Sequence, residues 1–572
     1  MKINLINENF TEDYAYNYLK TKGIMNIEEY LNPPAAAVQH PSNLDNIEDG
    51  ANLLLKVIHN NGNILLVVDS DNDGFTSSAI IYTYIKKINS NINIDYLLHE
   101  GKQHGLEDHI DYILENKDKY NLVILPDSSS NDYEYHEQLM GLPCLVLDHH
   151  ILETEVSSNA IIINNQSSKN YTNKELTGAG VVYQFCKYLD LKLDTNYAED
   201  LIDLAAWGII GDMGSLVPLE NRYIIKKGLE NIKNDFFKIL IDKQSFSMKN
   251  EITPISVAFY IVPMINAMIR VGTMEEKKRL FEAYIDANKM VPSNKRGAKG
   301  TMELLGIESA RECTNAKNKQ NRIKEAAVDS LEIKIHKNDL LENKILFVRL
   351  EEDDIFPSEL TGLIAMQLSA KFKKPTIVAR LNNEGYDKGS IRGLNQSALT
   401  SFKDFLDKSG FFDYVSGHDN AAGCCIKDNK LSNFHQYANE QLKDINFGEN
   451  VYDVNFTRLA ADKDIAAIAN DLYDYRHLWG QNIDEPMLYV SDINLTKNDI
   501  QIIGRNNDTV KFEKFGVEYI KFFAKDLIEE LKQYNNLKVE IVGKPSINEW
   551  GGRRKPQILI EDYQIENGEM SF

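Results

Sequence analysis

Three short apolar segments within the first 150 residues each end in acidic or histidine residues. The segments cover residues 63–68, 121–126 and 143–147, are rich in Val, Leu and Ile, and are flanked by helical patterns. Such a pattern is typical of buried parallel strands that alternate with helices. Because the carboxyl ends of parallel strands share one edge of a sheet, residues that follow different strands meet there. The segments therefore predict an α/β domain with a ligand site at this edge.

Carboxylates and imidazoles follow each predicted strand. They are Asp69, Asp71 and Asp73 after the first strand, Asp127 after the second and Asp148, His149 and His150 after the third, while Asp212 follows an apolar helix. Neighbouring carboxylates raise each other's pKa, and a divalent cation removes this repulsion. Oxygen ligands with some imidazole suit manganese, magnesium or zinc better than a soft metal. Two cations that share a carboxylate can stabilise the attacking and leaving oxygens of a phosphodiester, so the pattern indicates phosphodiester chemistry.

Each motif has a simpler interpretation when it is taken alone. Segment 69–74 resembles the start of a calcium loop, although Ile80 stands where that loop requires a glutamate, and a surface turn is equally compatible. Asp127 before three serines is typical of a helix N-cap. The triplet 148–150 is more specific, because two adjacent histidines after an apolar strand have no role in packing. The order of all the motifs favours a metal site.

The composition indicates an ordinary globular protein. Hydrophobic residues make up 43% and charged residues 26%, and 572 residues are enough for about four domains. The net charge of −22 opposes broad electrostatic binding to nucleic acid but suits a protein that surrounds metal ions with carboxylates. The most apolar stretch, 256–271, contains a proline and an arginine and is shorter than the ~20 residues of a bilayer span. We therefore predict a cytoplasmic protein that does not enter a membrane.

Three later regions differ in pattern. Residues 300–337 are charged and contain no proline, which predicts a long connecting helix. A second α/β region begins near residue 343, and residues 446–572 contain short alternating runs that predict a small β-barrel. Trp550 with the basic residues 553–555 forms either a nucleic-acid platform or a solvated hairpin.

With these motifs in this order, the chain resembles the DHH phosphoesterase superfamily, which is named for the triplet found here at 148–150. Within the superfamily it is similar to the RecJ-type exonucleases, which act on single strands. The resemblance covers nearly the whole chain from about residue 60. Further segments similar to RecJ in family order are 176–181, 208–222, 263–270, 389–392, 416–423 and 547–560.

The resemblance implies an α/β fold in four parts. A parallel-sheet DHH phosphoesterase domain with an N-terminal extension is expected at residues 1–295. A long helix at 296–340 would join it to a smaller α/β DHH-associated domain at 341–445, which binds substrate. An OB-like β-barrel that binds nucleic acid would follow at 446–572.

The resemblance also implies roles for individual residues. Two ions, Mn²⁺ or Mg²⁺, are expected on Asp69, Asp71, Asp73, Asp127, His149 and Asp212. Catalytic roles are expected for Asp71 and for His150, which would contact the scissile phosphate or its attacking water. The residues expected to bind substrate are Asn266, Arg270, Ser390, Arg392 and His418, with Ser390 and Arg392 on the 5′-terminal phosphate and His418 near the scissile one.

The chain departs from the family pattern at three places. Val67 stands where relatives often carry a histidine, which makes Asp69 the candidate to complete that metal site. The loop 98–106 lacks the family's arginine for the 5′ phosphate, and Lys102 and His99 are candidates to replace it. Segment 263–270 lacks the usual arginine after its proline and the glycine before its last arginine.

The function implied by the resemblance is a metal-dependent 5′→3′ exonuclease that degrades single-stranded DNA to 5′-mononucleotides in recombination or repair. One alternative is a DHH phosphodiesterase for short oligonucleotides or cyclic dinucleotides, and another is a scaffold that binds single strands without cutting them. The expected partners are single-stranded DNA and, as candidates, a single-strand-binding protein or a helicase. We expect a monomer.

Overall fold

The computed structural model describes residues 1–6, 10–351, 354, 356–550 and 552–570, without the side chains of Trp550 and of residues 567–570. The predicted role of Trp550 in a nucleic-acid platform therefore lies outside the described side chains. The chain forms two compact units. The large unit comprises Lys22–Gln320 and His477–Asp484, and the terminal unit comprises Met1–Thr21, Asn321–Arg476 and Glu485–Phe572.

The described strands are numbered in chain order. They are β1 (Lys2–Leu5), β2 (Ile64–Val68), β3 (Ile94–Leu98), β4 (Leu122–Pro126), β5 (Cys144–Asp148), β6 (Ala160–Asn164), β7 (Met290–Pro292), β8 (Met302–Leu304), β9 (Leu346–Leu350), β10 (Thr376–Leu381), β11 (Tyr386–Arg392), β12 (Phe412–His418), β13 (Ala421–Lys427), β14 (Val451–Val454), β15 (Phe456–Leu459), β16 (Leu488–Thr496), β17 (Gln501–Ile503), β18 (Thr509–Lys514), β19 (Val517–Lys521), β20 (Tyr534–Trp550) and β21 (Arg553–Met570).

The described α-helices are numbered in the same way. They are α1 (Tyr14–Thr21), α2 (Ile27–Leu31), α3 (Ile47–His59), α4 (Asn72–Ile88), α5 (Ile110–Glu115), α6 (Tyr133–Gln138), α7 (Gly178–Leu193), α8 (Ile202–Gly211), α9 (Leu219–Glu230), α10 (Asp235–Gln244), α11 (Pro254–Ser256), α12 (Val262–Val271), α13 (Met274–Ile285), α14 (Leu305–Lys337), α15 (Thr361–Phe372), α16 (Phe402–Ser409), α17 (Leu431–Gln441), α18 (Ile465–Asp474) and α19 (Lys525–Leu531).

The large unit is built on a parallel sheet of five strands in the order β3-β2-β4-β5-β6. The three predicted strands are confirmed as β2, β4 and β5, and every residue of each is buried. The apolar pattern missed β3 and β6, which occupy the two edges of the sheet. Edge strand β3 is only half-buried and contains an aspartate and a tyrosine, so its sequence lacks the continuous apolar character of a central strand.

The most apolar stretch, 256–271, does not continue as one regular helix into the residues that follow it. The segment begins with α11 and a π-helical turn, Val257–Ile261, continues as α12 and then stops at Gly272. Thr273 starts α13, because its hydroxyl caps the amide of Glu276 while the Glu276 carboxylate accepts from the Thr273 amide. A capping box of this kind is stronger local information than the apolar pattern on either side.

Within the described residues, Pro254–Val271 is the one helical stretch whose length and composition would allow it to cross a membrane. Slightly more than half of it, 56%, is buried inside the protein. Val257, Ile261 and Ile265 are completely buried, so one face of the stretch belongs to the core of the large unit. This is the arrangement of an apolar core helix.

Helix α14 carries the long charged stretch that the sequence analysis identified. It runs for 33 residues, and its helical start at Leu305 follows the hairpin of β7 and β8. The boundary between the two units falls within this helix, between Gln320 and Asn321.

The terminal unit contains two larger sheets. A five-stranded sheet has the order β12-β13-β11-β10-β9, in which β9 and β10 are parallel and the other neighbours are antiparallel. The residues predicted to form a small β-barrel form a seven-stranded sheet with the order β15-β16-β20-β21-β19-β18-β17.

The N-terminus belongs to the terminal unit, although the sequence analysis placed it with the first domain. Strand β1 pairs in parallel with β14, from Lys2 opposite Val451 to Leu5 opposite Val454. A four-residue strand has too little pattern of its own to reveal a partner about 450 residues away.

Candidate metal centre

The first acidic motif forms the start of a helix. Asp71 is the N-cap of α4, and its Oδ1 accepts from the amide of Gly74 at 3.0 Å. Asp73 lies in the first turn, is completely buried, and accepts from the amide of Ala179 at 3.1 Å. The helix therefore begins at Asn72, within the acidic motif itself. Its capping geometry fixes two of the expected metal ligands.

The second motif carries backbone strain at the site itself. Asp127 directly follows β4 and adopts a φ of 64°, a left-handed conformation that is unfavourable for a residue with a side chain. Its amide still donates to the carbonyl of Leu147 at 2.8 Å, which ties it to β5. Gly178 lies against it so closely that a Cβ there would be 2.2 Å from Asp127 Oδ1. The surroundings therefore determine where this carboxylate lies.

The third motif is organised around a buried aspartate. Asp148 Oδ1 accepts from the amide of His149 at 2.7 Å and from Nδ1 of His150 at 2.7 Å, and its Oδ2 accepts from the amide of Ser130 at 3.0 Å. Asn164 at the end of β6 donates to the carbonyl of His150 at 2.8 Å. These bonds fix both imidazoles at the carboxyl edge of the sheet. The sequence places Asp148 at this edge without a ligand or catalytic role of its own, and it does not single out Ser130 or Asn164.

His149 lies between two of the expected acids. Its Nε2 is 3.2 Å from Asp127 Oδ1 and 3.6 Å from Asp212 Oδ2. Asp212 is the C-cap of α8, directly after Gly211. The fourth acid thus reaches the edge of the sheet from a helix end, as its position after an apolar helix predicted.

The donor atoms of these residues fit divalent cations. Within the described residues, three groups have ligand atoms that all lie within 4.8 Å of one another. The groups are Asp69, Asp71 and Asp127; Asp73, His149 and Asp212; and Asp127, Asp148, His149 and His150. Asp69 Oδ1, Asp73 Oδ2 and Asp127 Oδ1 are buried without a hydrogen-bond partner. Buried carboxylate oxygens without a donor are what a hard cation would satisfy.

The raised pKa values of the aspartates also indicate a site that requires a cation. Burial and the charge of Asp71 raise the pKa of Asp73 to about 7, and burial raises the pKa of Asp69 to about 6. Burial and neighbouring aspartates also raise the pKa values of Asp127 and Asp212 well above the usual range. A divalent cation among them would favour the ionised forms.

The pKa values of His149 and His150 shift in opposite directions. Burial and the neighbouring His150 lower the pKa of His149 to about 4, so its imidazole is neutral and able to bind a metal. Burial opposes protonation of His150, but the hydrogen bond and charge of Asp148 raise its pKa to about 9. His150 is therefore cationic at neutral pH, and its side chain is 56% exposed.

Arg270 is near the acids, on α12. Burial lowers the pKa of its guanidinium, while the charge of Asp71 acts in the opposite direction. Asn266 lies one turn earlier on the same helix, and its Oδ1 is buried without a hydrogen-bond partner. The π-helical turn Val257–Ile261 immediately precedes this helix, and such turns are frequent at functional sites.

The remaining expected substrate residues lie together in the terminal unit, on one face of three neighbouring strands. Ser390 and Ser416 both lie opposite Gly423, and Arg392 and His418 both lie opposite Ala421. A Cβ on Gly423 would meet nothing closer than 3.9 Å, so the surface beside Ser390 is open. This face has hydroxyl, guanidinium and imidazole groups, which are suitable ligands for a phosphate.

The sequence of the chain matches two known families and a close relative. The model of the DHH family, N-terminal domain, matches residues 63–209, and the RecJ OB domain model matches residues 463–562. A putative SPbeta prophage-derived single-strand DNA-specific exonuclease, YorK of Bacillus subtilis, is 39% identical over 99% of this chain and 98% of its own length.

This chain belongs to the RecJ family of DHH proteins. The single-stranded-DNA-specific exonuclease RecJ of Bacillus subtilis is 25% identical over 95% of this chain and 66% of its own length. The fold is that of RecJ from Thermus thermophilus, which was solved in complex with Mn²⁺. The two structures superpose with a TM-score of 0.73 at 17% sequence identity. The matched region covers 98% of this chain and 79% of the Thermus thermophilus chain. RecJ of the same organism was also solved with Mg²⁺, with a TM-score of 0.67.

Two candidate substitutes for the family's missing arginine differ in exposure. His99 is almost completely buried, and its ring packs 4.4 Å from that of His109, so it is not available to a phosphate. Lys102 is exposed. Val67 is part of the buried core of the sheet and contributes no ligand.

Proposed function

We propose that this RecJ-family chain is a metal-dependent exonuclease that degrades single-stranded DNA in the 5′→3′ direction and releases 5′-mononucleotides. The observation that carries the proposal is the pair of adjacent donor groups, Asp69, Asp71 and Asp127 on one side and Asp73, His149 and Asp212 on the other. Oxygen donors with one imidazole suit two Mn²⁺ or Mg²⁺ ions. Such ions, when bound, would activate water and stabilise charge on the phosphate oxygens.

The residues around the metals have separate tasks in this proposal. Asp148 orients His150 through the 2.7 Å bond to Nδ1, so that the cationic imidazole contacts the scissile phosphate or its attacking water. Asp71 accepts from the same water and completes a metal site. Arg270 and Asn266 contact the backbone of the DNA strand, because a half-buried guanidinium near an acidic cluster is suited to a phosphate.

We propose that the open part of this face, beside Gly423 in the five-stranded sheet of the terminal unit, holds phosphates of the substrate. Arg392 and Ser390 would bind the 5′-terminal phosphate, and His418 would bind the scissile one. Their common face and the absence of a side chain at Gly423 support this assignment.

A digestion assay tests the chemistry and the direction together. Long single-stranded DNA, labelled at either end, is incubated with Mn²⁺ and the wild-type chain or the His149→Ala variant. We expect immediate release of the 5′ label as a mononucleotide by the wild type and none by the variant. Early release of the 3′ label would show that the enzyme digests in the 3′→5′ direction instead. Cleavage restricted to di- to pentanucleotides would indicate a short-oligonucleotide phosphodiesterase, and binding without cleavage would indicate a scaffold.

We further propose that the chain acts as a cytoplasmic monomer in recombination or repair, with a single-strand-binding protein or a helicase as its loading partner. Light scattering of the purified chain measures the oligomeric state. Co-purification with each candidate partner from cells that produce tagged protein tests the loading role.

A further inference from the structure

His104 contacts the metal centre although no motif in the sequence singles it out. It lies in the loop between β3 and α5, and its Nδ1 is 2.6 Å from Oδ2 of Asp69. Because an ionised carboxylate can only accept a hydrogen bond, Nδ1 is the donor. Asp69 is almost completely buried, with 2% of its side chain exposed, whereas 48% of the His104 side chain is exposed. The imidazole therefore covers one oxygen of a buried carboxylate.

The loop that presents His104 is fixed on both sides of this residue. On one side, Ser70, which directly follows Asp69 in the sequence, donates from its hydroxyl to the carbonyl of Gln103. On the other side, the amide of Leu106 donates to Oδ2 of Asp132 at 2.9 Å. Gly105 adopts a φ of 71°, and a Cβ there would be 2.4 Å from the same carboxylate. His104 is thus anchored to the acidic motif by backbone and side chain together.

The two oxygens of Asp69 have different surroundings. Oδ2 is bound by His104, whereas Oδ1 is buried and has no hydrogen-bond partner. Asp69 shares a donor group with Asp71 and Asp127, and this group consists of carboxylates alone. The other three-residue group includes His149. The all-carboxylate group therefore has three negative charges when it is fully ionised, and it lacks an imidazole of its own.

We propose that His104 is a positioning residue for the metal site of Asp69, Asp71 and Asp127, in which its Nδ1–H holds Oδ2 of Asp69 and leaves Oδ1 as the ligand atom. Donors of this kind to a ligating group commonly change metal affinity by about 10–100-fold. The bond fixes the carboxylate rotamer and offsets part of the repulsion within the group. The inference rests on the proposed two-metal function, and it adds a residue from a loop that otherwise has no ligand.

Calorimetric titration of the full chain with Mn²⁺ in the absence of DNA tests the proposal. His104→Phe keeps a ring but removes the donor, and His104→Asn keeps a donor of similar reach. We expect the wild type to bind two ions, the Phe variant to lose about 10–100-fold in affinity for one of them, and the Asn variant to retain most of that affinity. His59→Phe, at an exposed position on α3, is the matched control and should titrate as the wild type does.

Thermal unfolding of each apo variant shows whether the fold is retained. A Phe variant that binds both ions with wild-type affinity would overturn the proposal while leaving the two-metal function intact. Retention of affinity by Phe with loss in Asn would also overturn it, because packing rather than donation would then matter. A wild-type chain that binds no Mn²⁺ would overturn the proposed function and this inference together.

Discussion

Single residues in this protein show their role through their surroundings more than through their type. His99 and His104 lie five positions apart in the same loop. His104 donates to a buried aspartate of the metal centre. His99 is buried against His109, and neither of its ring nitrogens has a hydrogen-bond partner. The same side chain is thus a polar contact in one position and an apolar filler in the other.

The burial of His99 predicts that the stability of the fold depends on pH. Burial, followed by the charges of His109, His104 and Lys277, lowers the pKa of His99 to about 3 from an ordinary value near 6.5. Between these values the unfolded state binds a proton that the folded state excludes, so the free energy of unfolding falls as pH falls below 6.5. At a pH well between its folded and unfolded pKa values, one such group changes the free energy of unfolding by about 1.4 kcal/mol per pH unit.

We expect His99→Phe to reduce this loss of stability on acidification. Calorimetric unfolding at pH 7 and at pH 5.5 should show a smaller decrease in the midpoint temperature for the variant than for the wild type. His59→Phe, at an exposed position, should keep the wild-type decrease. An equal decrease in all three proteins would show that His99 accepts a proton in the folded state.

Elements place the candidate ligands through close contacts with the backbone of neighbouring helices. Helix α7 begins at Gly178, where a Cβ would be 2.2 Å from Oδ1 of Asp127. Helix α8 carries Gly208, where a Cβ would be 2.4 Å from Oδ1 of Asp73. The absence of a side chain at both positions allows helix backbone to approach the carboxylates. Gly178 lies within the family-like segment 176–181, but nothing in that local pattern indicates this contact.

Gly178→Ala is expected to displace Asp127 and to weaken Mn²⁺ binding by at least about tenfold, with loss of nuclease activity. Gly448→Ala in the terminal unit is a suitable control, because Gly448 is exposed and the nearest atom to its Cβ would be Oδ1 of the exposed Asn446 side chain, at 3.3 Å. Calorimetric titration and the digestion assay measure both effects. Wild-type Mn²⁺ affinity in the Gly178 variant would mean that Asp127 moves freely, contrary to its contacts here.

The whole molecule is assembled from distant parts of the chain. The first 21 residues belong to the terminal unit, where Tyr14 donates to Asp464 at 3.0 Å and the amide of Ala15 donates to Asp471 at 2.9 Å. Conversely, His477–Asp484 belongs to the large unit, where Gln481 accepts from the amide of Leu216 at 3.0 Å. A truncation after residue 445 would therefore also remove part of the large unit. Point variants are the better test of the C-terminal sheet.

Deletion of residues 1–21 is expected to loosen the terminal unit and to leave the parallel sheet of the large unit unchanged. The deletion removes the partner strand of β14 and the contacts to α18. Hydrogen exchange followed by mass spectrometry should show faster exchange in residues 451–475 and unchanged exchange in residues 64–98. Equal acceleration in both regions would contradict the division of the chain into these two units.

The sequence by itself determined the family, the parallel sheet and the residues at its carboxyl edge. Continuous apolar runs define central strands, and Asp69, Asp127 and His149 follow such strands, so their convergence depends on local pattern and one topological rule. The left-handed backbone at Asp127 and the buried role of Asp148 were beyond that reasoning, since both depend on bonds to other elements.

Only the tertiary structure decided how segments without a clear sequence pattern pack against the parallel sheet and its acidic edge or pair with distant strands. Strand β3, the pairing of β1 with β14 and the contact of His104 with Asp69 have no distinctive sequence signal. Each is specified by packing or hydrogen bonds between segments distant in sequence, about 30 to 450 residues apart. Local periodicity reports whether a residue faces the core of its own element, but not which other element it touches. The sequence therefore predicts the candidate ligands, but it does not predict the contacts that hold them in place.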